Sequence, residues 1–283
     1  MILTGTAKSC KASALAAGLL VFCAGVRTDA ADITVVLPSN SGPYAEAYTG
    51  FTAAMPNPFD LIDLSRPGAA PPEEAHYAAA FGAKAAAAEY PPGTHLVYAL
   101  TPVTGRGRLW HEISMAPEPA AALAAYKGLQ PGLRRLAVFW TAYPGEEYMA
   151  DLSRAGRQAG VQIISARLKG PDSFPDRLRR LMGSMDAFWL MPDPALITQA
   201  SIMVLASFSC ANAIPFYAPT AALLSSGATA SYAPEFTEAG AAAARALLVM
   251  YNGGRLPPVT YVEKITLRIN REMNGKCNWP VNK

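Results

Sequence analysis

Leu136-Ala-Val-Phe-Trp140 is followed by a helical run from Glu146 to Ala159, and that run by Val161-Gln-Ile-Ile-Ser165. This stretch decides the fold. The first segment is continuously apolar and too short for an ordinary helix, so it reads as a strand buried on both faces. A second such strand after the helical run gives strand–helix–strand, the unit of a parallel sheet covered by helices.

The same alternation runs outward in both directions. Downstream it predicts a helix over Pro175 to Met182, a strand at Asp186-Ala-Phe-Trp-Leu-Met191 and a helix from Pro194 to Cys210. A strand at Ile214-Pro-Phe-Tyr217, a short helix over Thr220 to Ser226 and a strand at Ala228 to Tyr232 follow. The last helix, Phe236 to Tyr251, stops at Asn252-Gly253-Gly254, a helix-ending sequence. Upstream, strands are expected at Ile33–Leu37, Phe59–Leu64, Tyr77–Phe81, His95–Leu100 and His111–Met115. Helices are expected over Pro43 to Met55, Ala83 to Glu89 and Pro117 to Leu129, the last opened by a proline. Two series of similar length imply two α/β lobes facing a cleft, residues 32–132 and 133–255, with Leu133-Arg-Arg135 at the crossing and 256–283 as a crossover and tail. Ligands of open parallel sheets bind beyond the C-terminal strand ends, and interfaces between lobes favour small-molecule pockets.

The first thirty residues read differently. Lys8 and Lys11 precede an Ala/Leu/Val/Phe run from Ala12 to Ala24, and a short polar segment ends at Thr28-Asp-Ala-Ala31. A basic start, a short apolar core and small residues at the cut describe a secretory signal peptide over residues 1–31. The run is shorter than the roughly 20 apolar residues that span a bilayer. Export to the periplasm is therefore expected. Cleavage removes Lys8, Lys11, Arg27 and Asp29, shrinking a formal charge that is only +3, so neither nucleic acid nor an anionic membrane is expected as main partner. Of the four cysteines, Cys10 and Cys23 leave with the leader. Cys210 and Cys277 remain, either as a disulfide tying the tail to a helix end or as two unpaired thiols.

Several segments together carry a resemblance: Pro131-Gly-Leu-Arg-Arg-Leu-Ala-Val-Phe-Trp140, Met185-Asp-Ala-Phe-Trp-Leu-Met-Pro-Asp193, Ile214-Pro-Phe-Tyr217, Gly227 to Gly240 and Leu267-Arg-Ile-Asn270. Ser41-Gly-Pro-Tyr44, Phe81-Gly-Ala-Lys-Ala85 and Ile113 to Pro119 extend it into the first half. In order and spacing the chain resembles the substrate-binding proteins of ABC transporters, in the subgroup that includes aromatic amino acid binders. The resemblance implies a type I periplasmic binding fold, two lobes joined by a three-stranded hinge. It implies a small organic ligand, a membrane permease as partner and a monomer without cofactor. Two departures stand out. Only Arg66 to Ala75 is available where the family has a full helix, so either that helix is reduced to a turn or the third strand is irregular. Pro219-Thr-Ala replaces the family's acidic pair after the Ile214 strand, which argues against an amino acid ligand.

Candidate ligand contacts follow from strand-end positions. Ser41 and Gly82-Ala83 stand at helix starts whose free N–H groups suit an anion, though Ser41 also suits an ordinary cap. Thr101 follows the His95 strand. Asp193 matches the family's cleft aspartate and is equally suited to cap a helix from Ala195. Tyr44, Tyr143, Tyr217 and Tyr232 fall at or after strand ends, where a tyrosine can stack on a ligand or simply pack. Trp189 lies within a strand and reads as core. His76, His95 and His111 lack metal-ligand spacing, no G-x-S-x-G elbow occurs, and Gly105-Arg-Gly-Arg-Leu-Trp110 lacks the third glycine of a dinucleotide loop and reads as a turn. Enzymatic chemistry is not expected. The expected role is solute capture for a permease, the alternative an exported sensor or accessory protein docking on a receptor, kinase or dehydrogenase.

Overall fold

Ile33–Leu37 forms strand β1, an inner strand of the first sheet that is buried along its whole length. The computed structural model describes residues 32–71, 73, 75–101, 109–257 and 259–282. The expected signal peptide and the Gly105–Arg108 part of the expected turn lie outside these residues. Helix α1 (Gly42–Ala54) follows, then β2 (Asp60–Asp63), β3 (Tyr77–Phe81), the short α2 (Ala83–Ala86), β4 (His95–Ala99) and β5 (Trp110–Ser114). Next come α3 (Pro119–Leu129), β6 (Arg135–Trp140), α4 (Glu146–Ala159), β7 (Gln162–Arg167), α5 (Phe174–Leu181), β8 (Ala187–Leu190), α6 (Gln199–Asn212), β9 (Phe216–Ala218) and β10 (Ala230–Tyr232). The chain closes with α7 (Phe236–Tyr251), β11 (Val259–Tyr261), β12 (Leu267–Ile269) and α8 (Arg271–Cys277).

The described strands form two six-stranded sheets, ordered β11-β5-β4-β3-β1-β2 and β12-β10-β9-β8-β6-β7. Pairing is parallel except for β12, which runs antiparallel to β10. The alanines of β3 do not spoil the strand. They sit fully buried between β1 and β4, where position in the sheet outweighs weak strand propensity. Of the two outcomes left open for the segment before β3, the structure shows the turn. Arg66 N–H donates to Asp63 O at 3.1 Å and Ala69 N–H to Arg66 O at 3.2 Å, and no described residue there is helical.

Two helices cover the sheet of the other half. The sequence reading assigns Pro117–Leu129 to the first lobe and Phe236–Tyr251 to the second. In the structure Ala122, Leu123, Tyr126 and Leu129 of α3 pack with Leu136, Trp189 and Tyr217 of the second sheet. Ala239, Ala243 and Leu247 of α7 pack with Val35, Phe51 and Val97 of the first. The chain therefore passes between lobes at Met115–Glu118, Ala233–Glu235 and Val262–Thr266. Hydrophobic periodicity identifies a helix but not the sheet it covers, which is why the boundary at 132/133 misses this exchange.

Cys210 in α6 and Cys277 in α8 are joined by a disulfide, with Cα atoms 4.6 Å apart and a sequence separation of 67. Closing a loop of that size stabilises by about 4 kcal/mol on the chain-entropy account. Trp279 anchors the tail beside it, its indole N–H donating to Ser209 O at 3.3 Å.

Candidate functional site

A cavity of about 270 Å³ opens between the lobes. The first lobe contributes Pro43 and Tyr44 at the start of α1, Leu100 and Thr101 after β4, and Phe236 at the start of α7. The second contributes Tyr143 after β6, Pro192, Pro194 and Ile197 after β8, and Pro219 and Thr220 after β9. Met115 lines it from the first crossing. These positions lie beyond the C-terminal ends of parallel strands or at helix starts, where open α/β sheets bind ligands. The walls are prolines, aromatic rings, aliphatic chains and two threonines, and none of the described lining residues is charged.

Tyr143 is positioned by the opposite lobe. Its hydroxyl accepts from Met115 N–H at 3.0 Å and lies 3.3 Å from Ser114 Oγ, leaving the ring as its contribution to the cavity. Burial pushes the phenol pKa up, so the ring stays neutral. Tyr44 is positioned by Gly82. A Cβ at Gly82 would stand 2.5 Å from Tyr44 Cε1, and the glycine has φ +91°, so an alanine there would be strained and would displace the ring.

Thr101 is 6% exposed, and its hydroxyl has no hydrogen-bond partner among the described residues. Buried hydroxyls are normally bonded, so an unpaired one on a cavity wall points to a missing partner. Thr220 differs, because its hydroxyl already accepts from Ala222 N–H at 3.2 Å.

The remaining sequence candidates sit elsewhere. Tyr217 does not reach the cavity: it is fully buried, stacks on Tyr126 at 4.0 Å between ring centroids and donates to Gln130 Oε1 at 2.7 Å. Side-chain direction alternates along β9, and Tyr217 points into the α3 face. Tyr232 packs edge-on to the same Tyr126. Asp193 is 3% exposed with both oxygens occupied. Thr141 N–H donates to Oδ2 at 3.0 Å, the Thr141 hydroxyl donates to the same oxygen, and Ala195 N–H donates to Oδ1 at 3.0 Å. It thus clamps the loop after β8 to that after β6. Helix α6 begins later than expected, capped by Thr198, whose hydroxyl accepts from Ser201 N–H at 3.1 Å. Gly82 N–H is committed to Ala99 O at 2.8 Å, and Ala83 opens a helix of only four residues, so neither offers an anion site. Ser41 occupies the α1 cap position without a side-chain cap bond, its hydroxyl 2.9 Å from that of Ser39.

Strand-end reasoning thus reaches Tyr44, Thr101 and Tyr143 and misses most of the apolar wall. Pro192, Pro194, Pro219 and Phe236 satisfy the same positional rule, but a sequence reading gives prolines to turns and phenylalanines to the core.

No family model and no curated protein sequence matches the chain. Solved structures do. An ABC domain in complex with L-Trp from Streptococcus pneumonia aligns at a TM-score of 0.60 and 12% identity, covering 89% of this chain and 95% of that one. A ligand-free, open substrate binding protein with adhesive properties from Clostridium difficile aligns at 0.59 and 14%, covering 87% and 94%. A glucose-galactose binding protein from Geobacillus stearothermophilus aligns at 0.51 and 12%, covering 85% and 98%. With two mainly parallel sheets, exchanged helices and three crossings, the chain has the fold of these solute-binding proteins, the two-lobed type I periplasmic binding fold.

Proposed function

We propose that this chain is an exported solute-binding protein that holds a small organic molecule between its lobes and presents it to a membrane permease of the ABC type. The observation that carries the reading is the apolar cavity shared by both lobes at their strand ends, with one unpaired buried hydroxyl on its wall. Ligand touching Tyr44 and Phe236 on one side and Tyr143 and Pro219 on the other stabilises closure, and closure is a shape a permease can read. The leader-like Ala12–Ala24 run supports export, and among the described residues no helix is long and apolar enough to cross a membrane.

A ligand-library thermal shift on the chain beginning at Asp32, followed by small-angle scattering with the hits, tests the reading. Ligands that raise the melting temperature should also reduce the radius of gyration. Stabilising ligands that leave the lobes unmoved would count against capture by closure.

One observation favours a second reading, a ligand-controlled accessory protein. Among the described residues the segment between β2 and β3 has no helix where the resemblance leads one to expect it, so the first lobe is reduced there. Pull-down from membranes distinguishes the two, by recovery of a permease or of a receptor or enzyme.

A further inference from the structure

We propose that the interlobe cavity takes an uncharged, mainly apolar molecule about the size of a single aromatic ring system, held by one hydrogen bond to Thr101. This inference rests on the solute-binding reading and specifies its ligand class.

Size comes first. A cavity of about 270 Å³ lies at the small end of the roughly 300–1,000 Å³ typical of small-molecule sites, and so suits a ligand of about single-ring size.

Charge comes second. An α-ammonium group buried here would need a carboxylate, and among the described residues no acidic one lines the cavity. Asp193 stands next to the lining prolines but is not itself a lining residue, and both its oxygens accept from Thr141 and Ala195. Glu46 and Glu235 line a separate groove that shares only the Thr220 and Phe236 walls. Glu235 is paired there with Arg268, and Glu46 is exposed. Among the described residues, no lysine, arginine or histidine lines the cavity to meet a carboxylate.

Polarity comes third. A sugar brings many hydroxyls, each needing a partner once buried. The cavity offers the free hydroxyl of Thr101, while those of Thr220 and Tyr143 already have protein partners. One unsatisfied hydroxyl among apolar walls matches a ligand with one polar group.

Calorimetry on the chain beginning at Asp32 compares indole with L-tryptophan and p-cresol with L-tyrosine, with D-glucose as a polyhydroxylated probe. The neutral member of at least one pair should bind tenfold or more tightly than its zwitterionic counterpart. Thr101→Val should weaken that binding at least fivefold without lowering the ligand-free melting temperature, since it removes a hydroxyl that has no partner in the protein. Tighter binding of an amino acid, abolished by Glu46→Gln, or tighter binding of glucose, would overturn the ligand class and leave solute capture intact. Neutral binding untouched by Thr101→Val would overturn the role of Thr101. If none of the five probes binds, a wider library decides: hits confined to uncharged apolar compounds support the inference, charged or polyhydroxylated hits overturn it, and no hit at all overturns both it and the solute-binding reading.

Discussion

Gly50 and Gly240 each lie against the backbone of the other's helix. A Cβ at Gly50 would fall 1.8 Å from the Thr237 carbonyl oxygen, and one at Gly240 would fall 1.8 Å from that of Ala47. The contact joins α1 to α7 near the helix starts that carry Tyr44 and Phe236 into the cavity. Substituting either glycine by alanine forces the helices apart, since backbone cannot yield as a flexible side chain can. Each single variant should lose about 1–3 kcal/mol or more in denaturant unfolding. The double variant should lose less than the sum, because one separation relieves both clashes. Two fully additive losses would show that the contacts are independent.

Asp193 is expected to act on stability. Asp193→Ala leaves the N–H and hydroxyl of Thr141 without their acceptor and should cost about 1–3 kcal/mol of stability. Affinity for any cavity ligand should fall only as far as the loops shift. Comparing calorimetric affinity with the ligand-free melting temperature decides. A large affinity loss at unchanged stability would return Asp193 to the list of direct ligand contacts.

Tyr143→Phe removes the hydroxyl that accepts from Met115 N–H across the lobes while keeping the ring on the cavity wall. A hydrogen bond of this kind contributes about 0.5–1.5 kcal/mol. The variant should populate open arrangements more and show a larger ligand-free radius of gyration in scattering. An unchanged profile would mean that packing alone sets the lobe angle.

Acid should weaken the second lobe through Asp186. Desolvation opposes its ionisation, but hydrogen bonds from Arg135 and from the N–H groups of Arg134 and Arg135 outweigh it and hold the pKa below the usual value. The folded pKa is depressed, so the contribution is present above the unfolded value of about 3.9 and is lost as pH falls through the folded value. Asp186→Asn should lower the melting temperature at pH 7 and flatten its decline below about pH 4. A parallel decline in both proteins would refute the assignment.

Protein recovered from the exported fraction should begin near Ala31 or Asp32 and, once denatured, show no free thiol, because Cys210 and Cys277 are bonded. Intact-mass spectrometry with and without reduction checks both. A membrane-bound full-length chain would contradict export, and two labelled thiols would contradict the bridge.

What the sequence reveals and what it conceals have physical causes. Phe236–Tyr251 and its stop at Asn252-Gly253 are legible because helix periodicity and a terminating glycine are local signals. Strand β3 is only half legible, because its three alanines have weak strand propensity and its place between β1 and β4 makes it regular. Tyr217 is different: its strand is legible, but which sheet face its ring joins depends on Tyr126, far away in sequence. Asp193 also appears at the expected strand end, yet its role is set by Thr141 in the loop after another strand. The cavity's proline walls are composed of residues whose local meaning is a turn, and only the meeting of two sheets makes them a surface.

The exchange of α3 and α7 has a consequence for heredity as much as for mechanics. Neither lobe is encoded by an uninterrupted stretch of gene. A fragment ending near residue 132 carries the first sheet without β11 and without α7, and carries α3 without the sheet it belongs to. The lobes therefore cannot be shuffled between proteins as simple cassettes. Recombination that respects both cores must cut at all three crossings together, so the two halves are expected to be inherited, and to diverge, as a pair.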